Sequence, residues 1–212
     1  MTVTPWLVYS AAFFLIGSIP TGFLIGRSRG LDIRKHGSGN IGATNVWRVM
    51  GRNWGLLAFG CDFLKGFLPL YLFRIAGNSD GDYGTDDLFV VVCGLAAIIG
   101  HNYTPWLGFK GGKGIATSAG VLGALMPPVL AVALSLWIIA TLTTRTVSIG
   151  SLLAAAVLAP AAAWFYPGEW VYFGLAALAG GLAVWRHRSN IQRLLAGTET
   201  RIEFGSKKKS AS

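Results

Sequence analysis

The chain has 212 residues, of which 53% are hydrophobic and only 13% are charged. Soluble domains usually carry about 25% charged residues, so this composition argues against a soluble domain and indicates a membrane protein. The net charge of +9 would suit nucleic acid, but basic residues confined to one side of a membrane explain it better. We therefore expect no nucleic-acid partner.

The first apolar run, Pro5–Gly26, has neither the basic n-region nor the clean cleavage site of a signal peptide. We expect it to be a retained helix. The remaining apolar runs are Asn53–Ile75, Leu88–Gly100, Ile115–Leu142, Val147–Phe165 and Val171–Trp185. A membrane-spanning helix needs about 20 apolar residues, so the run Ile115–Leu142 is too long for one helix.

The pair Pro127-Pro128 inside this long run either kinks one helix or ends it. A kink leaves six spans and puts a strongly basic segment outside. A break leaves seven spans, with the N-terminus outside, the C-terminus in the cytoplasm, and the acidic stretches "GNSDGDYGTDD" and "YPGEW" outside. The second arrangement follows the positive-inside rule.

We therefore predict an all-α, polytopic membrane protein with seven transmembrane helices and functional loops on the cytoplasmic face. Residues 1–204 form a single domain, and the basic tail 205–212 is expected to be disordered. The role of the acidic outer loop near Asp80–Asp87 stays open.

The segment "HGSGNIGATN", His36–Asn45, matches the pattern G-x-G-x-x-G at Gly37, Gly39 and Gly42. It follows an apolar helix instead of a strand, so a dinucleotide site is not indicated. The segment "GFKGGKGIAT" also lacks the spacing of a nucleotide-binding P-loop. Glycines still let backbone N–H groups approach an anion closely. The alternative is an ordinary turn with a solvated basic rim.

Three further inner segments carry cations: "GHNYTPWLGFKGGKGIAT", "TRTVSIGS" and "WRHRSNIQRLLAGTETR". In the first of them a glycine-rich run opens a helix, whose N-terminus offers free N–H groups and a positive dipole end. The candidate site residues of the four segments are Ser38, Asn40, Thr44, Asn45, Arg48, His101, Lys113, Ser148, His187, Asn190, Arg193 and Glu199. Their convergence predicts a site at the membrane boundary for a substrate with a phosphate head and an acyl chain.

Asp62 and Lys65 are three residues apart on one face of the second predicted span. Charges in lipid are costly and usually have a partner or a function. We expect a structural ion pair that supports the loops; direct substrate contact is the alternative.

These segments resemble the PlsY family, the integral-membrane acyl-phosphate:glycerol-3-phosphate acyltransferases of bacteria. The matching stretches are "GSGNIGATNVWR", "DFLKG", "GHNYTPWLGFKGGKGIAT", "TRTVSIGS" and "RHRSNIQRLLAGTE", and they occur in the family's order along nearly the whole chain. The resemblance implies a multi-pass protein of the bacterial inner (cytoplasmic) membrane. It also implies seven spans with an outer N-terminus.

The reaction that the resemblance implies transfers an acyl group from acyl phosphate to the 1-hydroxyl of sn-glycerol 3-phosphate. The products are 1-acyl-glycerol 3-phosphate (lysophosphatidate) and phosphate, formed in phospholipid synthesis. Acyl phosphate and glycerol 3-phosphate would be the partners of the protein, besides membrane lipid. Acyl-CoA and acyl-carrier protein are not expected donors.

The resemblance also implies roles for individual residues. Ser38, Arg48, Lys113 and His187 would clamp glycerol 3-phosphate, with support from Ser148. Asn190 would orient the reacting groups, and Glu199 would hold a basic partner or a glycerol hydroxyl. The donor phosphate would lie against the backbone N–H groups of two glycine loops, which comprise Gly39, Asn40, Gly42 and Thr44 in one and Gly111, Gly112 and Lys113 in the other.

The proton acceptor is left open by the sequence. No Ser-His-Asp set and no His-x4-Asp motif is present, and an acyl phosphate already has a good leaving group. We expect a substrate-assisted reaction, in which a substrate phosphate takes the proton, with His187 as the alternative base. No metal-binding cluster is visible, so we expect neither a metal nor another cofactor. The rival functions are an organophosphate transporter and a non-enzymatic binder of anionic lipid.

Overall fold

The computed structural model describes residues 3–80 and 86–202, and the regular structure within these ranges is entirely helical. The α-helices, in chain order, are α1 (Val3–Gly17), α2 (Thr21–Arg27), α3 (Ala43–Met50), α4 (Arg52–Asp80), α5 (Asp87–Asn102), α6 (Ile115–Leu125), α7 (Pro127–Thr144), α8 (Val147–Phe165), α9 (Trp170–Arg186) and α10 (Arg188–Leu195). Short 3-10 turns cover Ile33–Lys35 and Pro105–Leu107. The predicted tail 205–212 and most of the acidic outer loop lie outside the described residues.

Helices of membrane-crossing length and apolarity account for most of the chain. Five segments qualify, namely Thr4–Arg27, Arg52–Ala76, Asp87–Leu107, Pro127–Thr144 and Val147–Phe165. Two shorter apolar helices, Ile115–Leu125 and Trp170–Arg186, complete the set of described apolar helices. The long fourth run is divided at Met126, with α6 ending at Leu125 and α7 beginning at Pro127, as its proline pair predicts.

The first run is not the continuous helix that the sequence predicts. Helix α1 ends at Gly17 and α2 begins at Thr21, because Pro20 has no N–H to donate and disfavours the helical conformation of the residue before it. The break exposes the carbonyl of Ile19, which accepts a 2.7 Å hydrogen bond from the Lys65 ammonium. The correction matters for function because it brings α2 against the buried charges of α4.

Consecutive and neighbouring helices pack in pairs: α1 on α5, α3 on α4, α4 on α6, α7 on α8 and α8 on α9. Small residues allow the closest approach, and the α4–α6 pair shows the effect most clearly. A Cβ added to Gly120 would overlap the Phe63 carbonyl, and one added to Gly66 would overlap that of Thr117. Close backbone packing of this kind is typical of helices in lipid.

The segments that follow α2, α5 and α9 lie at one end of the bundle together with the N-terminus of α8, because residues from each of them line a single cavity. The opposite end is tied by Arg74, which donates to the Tyr172 hydroxyl at 3.1 Å and lies 3.2 Å from the Asp87 carboxylate. The bundle therefore has one end specialised for a polar site and one end closed by a structural cluster.

Candidate active site

A polar cavity of about 480 Å³ opens at the loop-rich end of the bundle. Most of the residues predicted for the site line it: Ser38, Asn40, Gly42, Thr44, Asn45, Arg48, Asp62, His101, Lys113, Ser148, His187, Asn190, Arg193 and Glu199. Lys65, Gly39, Gly111 and Gly112 do not. The four cation-bearing segments thus converge, although they are far apart in the sequence.

Three helix N-termini are directed at this cavity. The first two residues of α3, Ala43 and Thr44, line it, and so do the corresponding residues of α6 and α8: Ile115, Ala116, Val147 and Ser148. None of the three helices has a side-chain hydrogen bond at its N-cap. First-turn N–H groups have no partner inside the helix and carry a partial positive charge. The cavity is therefore built to receive phosphate oxygens.

The glycine loop before α3 is held in shape by Asn45, which is only 2% exposed. Its Oδ1 atom accepts from the Ser38 N–H at 2.8 Å, and its Nδ2 group donates to the His36 and Asn40 carbonyls at 3.0 and 2.8 Å. Because both its Oδ1 atom and its Nδ2 group form hydrogen bonds within the loop, Asn45 braces the loop. Direct substrate contact, which the sequence predicts for this residue, does not fit the hydrogen bonds.

The Ser38 hydroxyl in this loop and the Arg48 guanidinium on α3 are both exposed. Within the described residues neither has a hydrogen-bond partner, whereas Asn40 accepts from the Gly42 N–H at 2.8 Å. Gly42 is the N-cap of α3. Ser38 and Arg48 are therefore available to a ligand, in keeping with the clamp role that the family resemblance implies.

Glu199 gathers three side chains from α8 and α10 on the far wall. Its Oε1 atom accepts from Ser148 at 2.9 Å and from Asn190 at 2.6 Å, and its Oε2 atom accepts from Arg193 at 2.7 Å. Burial alone would raise the pKa of Glu199, but these hydrogen bonds outweigh it and the pKa is lowered. Glu199 is therefore a carboxylate that holds a basic partner, one of its two predicted roles.

Lys113 reaches the same network from the glycine loop before α6. Its ammonium donates to Asn190 Oδ1 at 2.5 Å. Burial lowers the pKa of Lys113 to about 8; Glu199 opposes the shift, and Arg193 and Arg48 add to it. The Lys113 ammonium is partly desolvated and close to other cations, so a bound anion stabilises it.

His187 follows α9 directly and is 3% exposed. Its Nδ1 atom lies 2.7 Å from the Ala183 carbonyl oxygen, which can only accept, so Nδ1 carries the proton. Burial and the nearby Lys113 charge lower the pKa of His187 to about 4. At neutral pH the imidazole is therefore neutral, and its Nε2 atom can accept a hydrogen bond from a substrate hydroxyl.

The backbone N–H groups of Gly39, Gly111 and Gly112 were predicted to bind the donor phosphate, but they form hydrogen bonds with backbone carbonyls instead. The N–H groups of Gly111 and Gly112 donate to the Asn102 and His101 carbonyls at 3.2 and 3.1 Å, and the Gly39 N–H donates to the His36 carbonyl at 3.0 Å. These amides are occupied, so they are not free donors for a phosphate. The N-termini of α3, α6 and α8 supply free donors instead.

A buried charge cluster lies beneath the cavity. The Asp62 carboxylate is 2.7 Å from the Lys65 ammonium and 3.5 Å from His101 Nδ1, and it accepts from the Thr21 hydroxyl. Asp62 and His101 reach the cavity wall, while Lys65 points away to the Ile19 carbonyl. The geometry joins α2, α4 and α5 through one carboxylate.

An apolar groove of about 970 Å³ adjoins the polar cavity and shares Thr44, Arg48, Phe59 and Trp137 with it. Its other walls come mainly from large apolar residues of α3, α4 and α7, namely Trp47, Leu56, Leu134, Ile138 and Leu142. The arrangement can hold an anionic head in the cavity with a hydrocarbon chain in the groove. Among the described residues no cluster of His, Cys, Asp and Glu could hold a metal ion.

Arg186, which donates to the Gly111 and Gly112 carbonyls, was not predicted from the sequence as a site residue. A helix N-terminus at the site was predicted for α6 alone. A glycine or a short polar stretch before an apolar run could have indicated those of α3 and α8, but that signal is weak without the loop geometry. Gathering of the site at one end of the bundle does not favour a transporter, whose site lies near the bilayer midplane.

Comparison with known proteins identifies relatives along nearly the whole chain. A family model described as glycerol-3-phosphate acyltransferase matches residues 7–197. Two proteins named glycerol-3-phosphate acyltransferase are similar to the chain. The one from Thermosynechococcus vestitus is 42% identical over 193 residues, covering 89% of this chain and 91% of the relative. The one from Desulforudis audaxviator is 46% identical over 193 residues, covering 90% and 92%.

Two solved structures share the fold. Crystal structures of PlsY, an integral membrane glycerol 3-phosphate acyltransferase, match in a glycerol 3-phosphate form with a TM-score of 0.85 and 39% identity, and in a lysophosphatidic acid form with a TM-score of 0.82 and 38% identity. Each match covers 94% of this chain and 96% of the other. Together with the apolar helices, this similarity establishes a multi-pass membrane protein.

Proposed function

The chain belongs to the glycerol-3-phosphate acyltransferase family, and from that premise we propose that it acylates the 1-hydroxyl of sn-glycerol 3-phosphate with acyl phosphate as the donor. The products are 1-acyl-glycerol 3-phosphate and inorganic phosphate. One observation carries the proposal: the polar cavity with its three helix N-termini opens directly into an apolar groove. This shape suits a two-part donor whose phosphate and acyl chain meet at the reacting carbonyl.

The donor fits with its acyl chain in the groove between α4 and α7 and its phosphate near the N-termini of α3 and α8. Arg48 lines both spaces, so it lies where the acyl chain joins the head group. The groove offers apolar surface for the chain, whose burial contributes about 0.8 kcal/mol per methylene group. Acyl-CoA carries a nucleotide on its head, but the glycine loops at this cavity follow helices instead of strands, so a nucleotide-binding loop is not indicated.

Glycerol 3-phosphate fits beside the donor phosphate, against the cavity wall that carries Ser38, Arg48 and Lys113. Ser38, Arg48 and Lys113 supply its phosphate with a hydroxyl and two cations. The Arg193 N–H groups that do not bond to Glu199 add further donors, whereas the Ser148 hydroxyl already donates to Glu199. The neutral His187 accepts from a glycerol hydroxyl through Nε2, and Asn190 orients the reacting groups. Two phosphates in one cavity require several cations and helix dipoles, which this wall and the three N-termini provide.

The reaction is an attack of the glycerol hydroxyl oxygen on the acyl carbonyl carbon. The bond between that carbon and the phosphate oxygen breaks, and the hydroxyl proton passes to a phosphate oxygen. A phosphate group takes up a proton at a pH of about 6, whereas burial holds the pKa of His187 at about 4. Phosphate is therefore the better proton acceptor, and the protein contributes position and charge.

Donor preference tests this proposal. The purified protein is incubated with glycerol 3-phosphate and with palmitoyl phosphate, palmitoyl-CoA or palmitoyl-acyl-carrier protein, and lysophosphatidate is measured. We expect product from palmitoyl phosphate alone. Product from either thioester would contradict the proposed donor. Uptake of labelled glycerol 3-phosphate into proteoliposomes without product formation would support a transporter instead.

We further propose seven membrane spans in the bacterial cytoplasmic membrane, with the N-terminus outside and the catalytic loops inside. The five segments of membrane-crossing length give seven spans when the two shorter apolar helices, α6 and α9, also cross the membrane. Single cysteines at Glu169 and Arg188, introduced after Cys61 and Cys93 are replaced, test the orientation. A membrane-impermeant maleimide applied to spheroplasts is expected to label position 169 and to spare position 188.

A further inference from the structure

Arg186, the last residue of α9, binds the glycine loop that precedes α6. Its Nε atom donates to the Gly112 carbonyl at 3.1 Å, and its Nη2 atom donates to the Gly111 and Gly112 carbonyls at 3.0 and 2.8 Å. The same guanidinium stacks over the Tyr103 ring, with its central carbon 5.1 Å from the ring centre. A planar fork with stacking is a geometry that lysine cannot reproduce.

The segment Gly111–Gly112 is held from two sides. Its N–H groups donate to the carbonyls at the end of α5, and its own carbonyls accept from Arg186. A Cβ on Gly112 would overlap the His101 ring, so the loop lies directly on that side chain. Arg186 therefore links the end of α9 to a loop that is already packed on α5.

The residues that follow this loop are those that reach the cavity. Lys113 comes next in the chain and donates to Asn190, and α6 begins at Ile115, where its N-terminal residues line the cavity. Arg186 itself does not line the cavity. Any effect of Arg186 on the reaction must therefore pass through Lys113, the α6 N-terminus or the adjoining His187.

We propose that Arg186 is a positioning residue for acyl transfer, whose forked grip on the Gly111 and Gly112 carbonyls places Lys113 and the α6 N-terminus against the phosphate of glycerol 3-phosphate. This inference rests on the proposed function. The grip fixes both peptide planes of the loop, and the loop in turn fixes where Lys113 leaves the backbone. A displacement of about 1 Å in such a site can cost roughly 100-fold in rate.

Charge adds a second consequence that can be measured separately. Arg186 is among the cations that lower the pKa of Lys113, together with Arg193 and Arg48, while Glu199 acts in the opposite direction. Removal of the Arg186 charge raises the pKa of Lys113, whereas its replacement by another cation does not. Arg193, Arg48 and Glu199 stay in place in every variant described below.

The experiment compares Arg186→Lys, Arg186→Gln and Arg186→Ala with the matched control Arg188→Gln. Arg188 is exposed, stacks on the Trp185 ring and donates to the Trp185 carbonyl, whereas Arg186 donates to the glycine loop. Phosphate release from palmitoyl phosphate is measured as a function of glycerol 3-phosphate concentration and pH. We expect all three Arg186 variants to raise KM for glycerol 3-phosphate tenfold or more and Arg188→Gln to change it less than twofold.

Two readouts separate positioning from a general loss of folded protein. The alkaline limb of the pH profile is expected to move upward in Arg186→Gln and to stay in place in Arg186→Lys. Methylguanidinium in solution is expected to restore activity to Arg186→Ala, and the ammonium ion is not. Normal KM in Arg186→Lys would overturn the inference. So would losses in Arg186→Ala that methylguanidinium fails to restore and that follow the folded fraction alone. Inactivity of the unaltered protein would count against the proposed function instead.

Discussion

The Lys113 ammonium lies 2.5 Å from Asn190 Oδ1, which joins the glycine loop before α6 to α10 across the cavity. Asn190 in turn donates to Glu199, so the Lys113 ammonium, the Asn190 amide and the Glu199 carboxylate form one hydrogen-bonded chain along the cavity wall. These three residues line the same cavity as the N-termini of α6 and α8. A substrate phosphate can bind in this space next to the Lys113 ammonium.

Activity is expected to fall as the pH rises through the pKa of Lys113. This pKa is lowered to about 8, so the ammonium is present below that pH and is lost above it. We expect kcat/KM for glycerol 3-phosphate to decline above a pH of about 8. Lys113→Gln should lower kcat/KM by roughly 100-fold at neutral pH.

Lys113→Arg serves as the control for that pH dependence. Arginine stays charged at every accessible pH, so the alkaline limb should disappear even where the absolute rate is reduced. An alkaline limb that persists unchanged in Lys113→Arg would assign the titration to another group.

His187→Gln is expected to weaken glycerol 3-phosphate binding and to leave the shape of the pH profile unchanged. The Gln amide keeps an acceptor oxygen but not the imidazole geometry, and loss of one hydrogen bond corresponds to roughly a tenfold rise in KM. Kinetics at varied pH and glycerol 3-phosphate concentration give the answer. If the variant loses most of its rate together with its pH dependence, His187 is the general base and the substrate-assisted route is wrong.

Ile138→Trp is expected to reduce activity with long acyl phosphates more than with short ones. Ile138 lines the apolar groove, so a larger side chain there should block the distal part of the chain. Ile139 is its neighbour, is 59% exposed and does not line the groove, which makes Ile139→Trp the matched control. Equal loss for octanoyl and palmitoyl phosphate in Ile138→Trp would place the chain elsewhere.

The pair of Asp62 and Lys65 is expected to act through stability. Removal of one partner of a buried ion pair leaves a buried charge and typically costs about 3–5 kcal/mol. Asp62→Asn and Lys65→Met should each lower the unfolding temperature in detergent, and the double variant should lose less than the sum of the two. A tenfold rise in KM for glycerol 3-phosphate at normal stability would favour the direct contact that the sequence leaves open.

Long-range patterns in the sequence predicted the architecture well. The proline pair at 127–128 marks the division between α6 and α7, and four cation-bearing loops meet at one cavity. These features depend on hydropathy and on residue type, which a single sequence displays. The break before Thr21 was missed because Pro20 lies in an otherwise uninterrupted apolar run.

Backbone detail could not be predicted in the same way. Asn45 was expected to bind substrate, but its side-chain amide forms hydrogen bonds with three backbone groups of its own loop. Gly111 and Gly112 were expected to present N–H groups, but those atoms bond to the end of α5. Residue type shows what a side chain can donate or accept, and only the folded path of the chain shows which neighbour takes it.

The most direct measurement of the central claim is the stoichiometry of inorganic phosphate release from palmitoyl phosphate, with and without glycerol 3-phosphate. We predict release that requires glycerol 3-phosphate, matches lysophosphatidate one for one, and continues in the presence of a metal chelator. Release that proceeds equally without glycerol 3-phosphate, or lysophosphatidate formed without phosphate, would contradict a single cavity in which both substrates react.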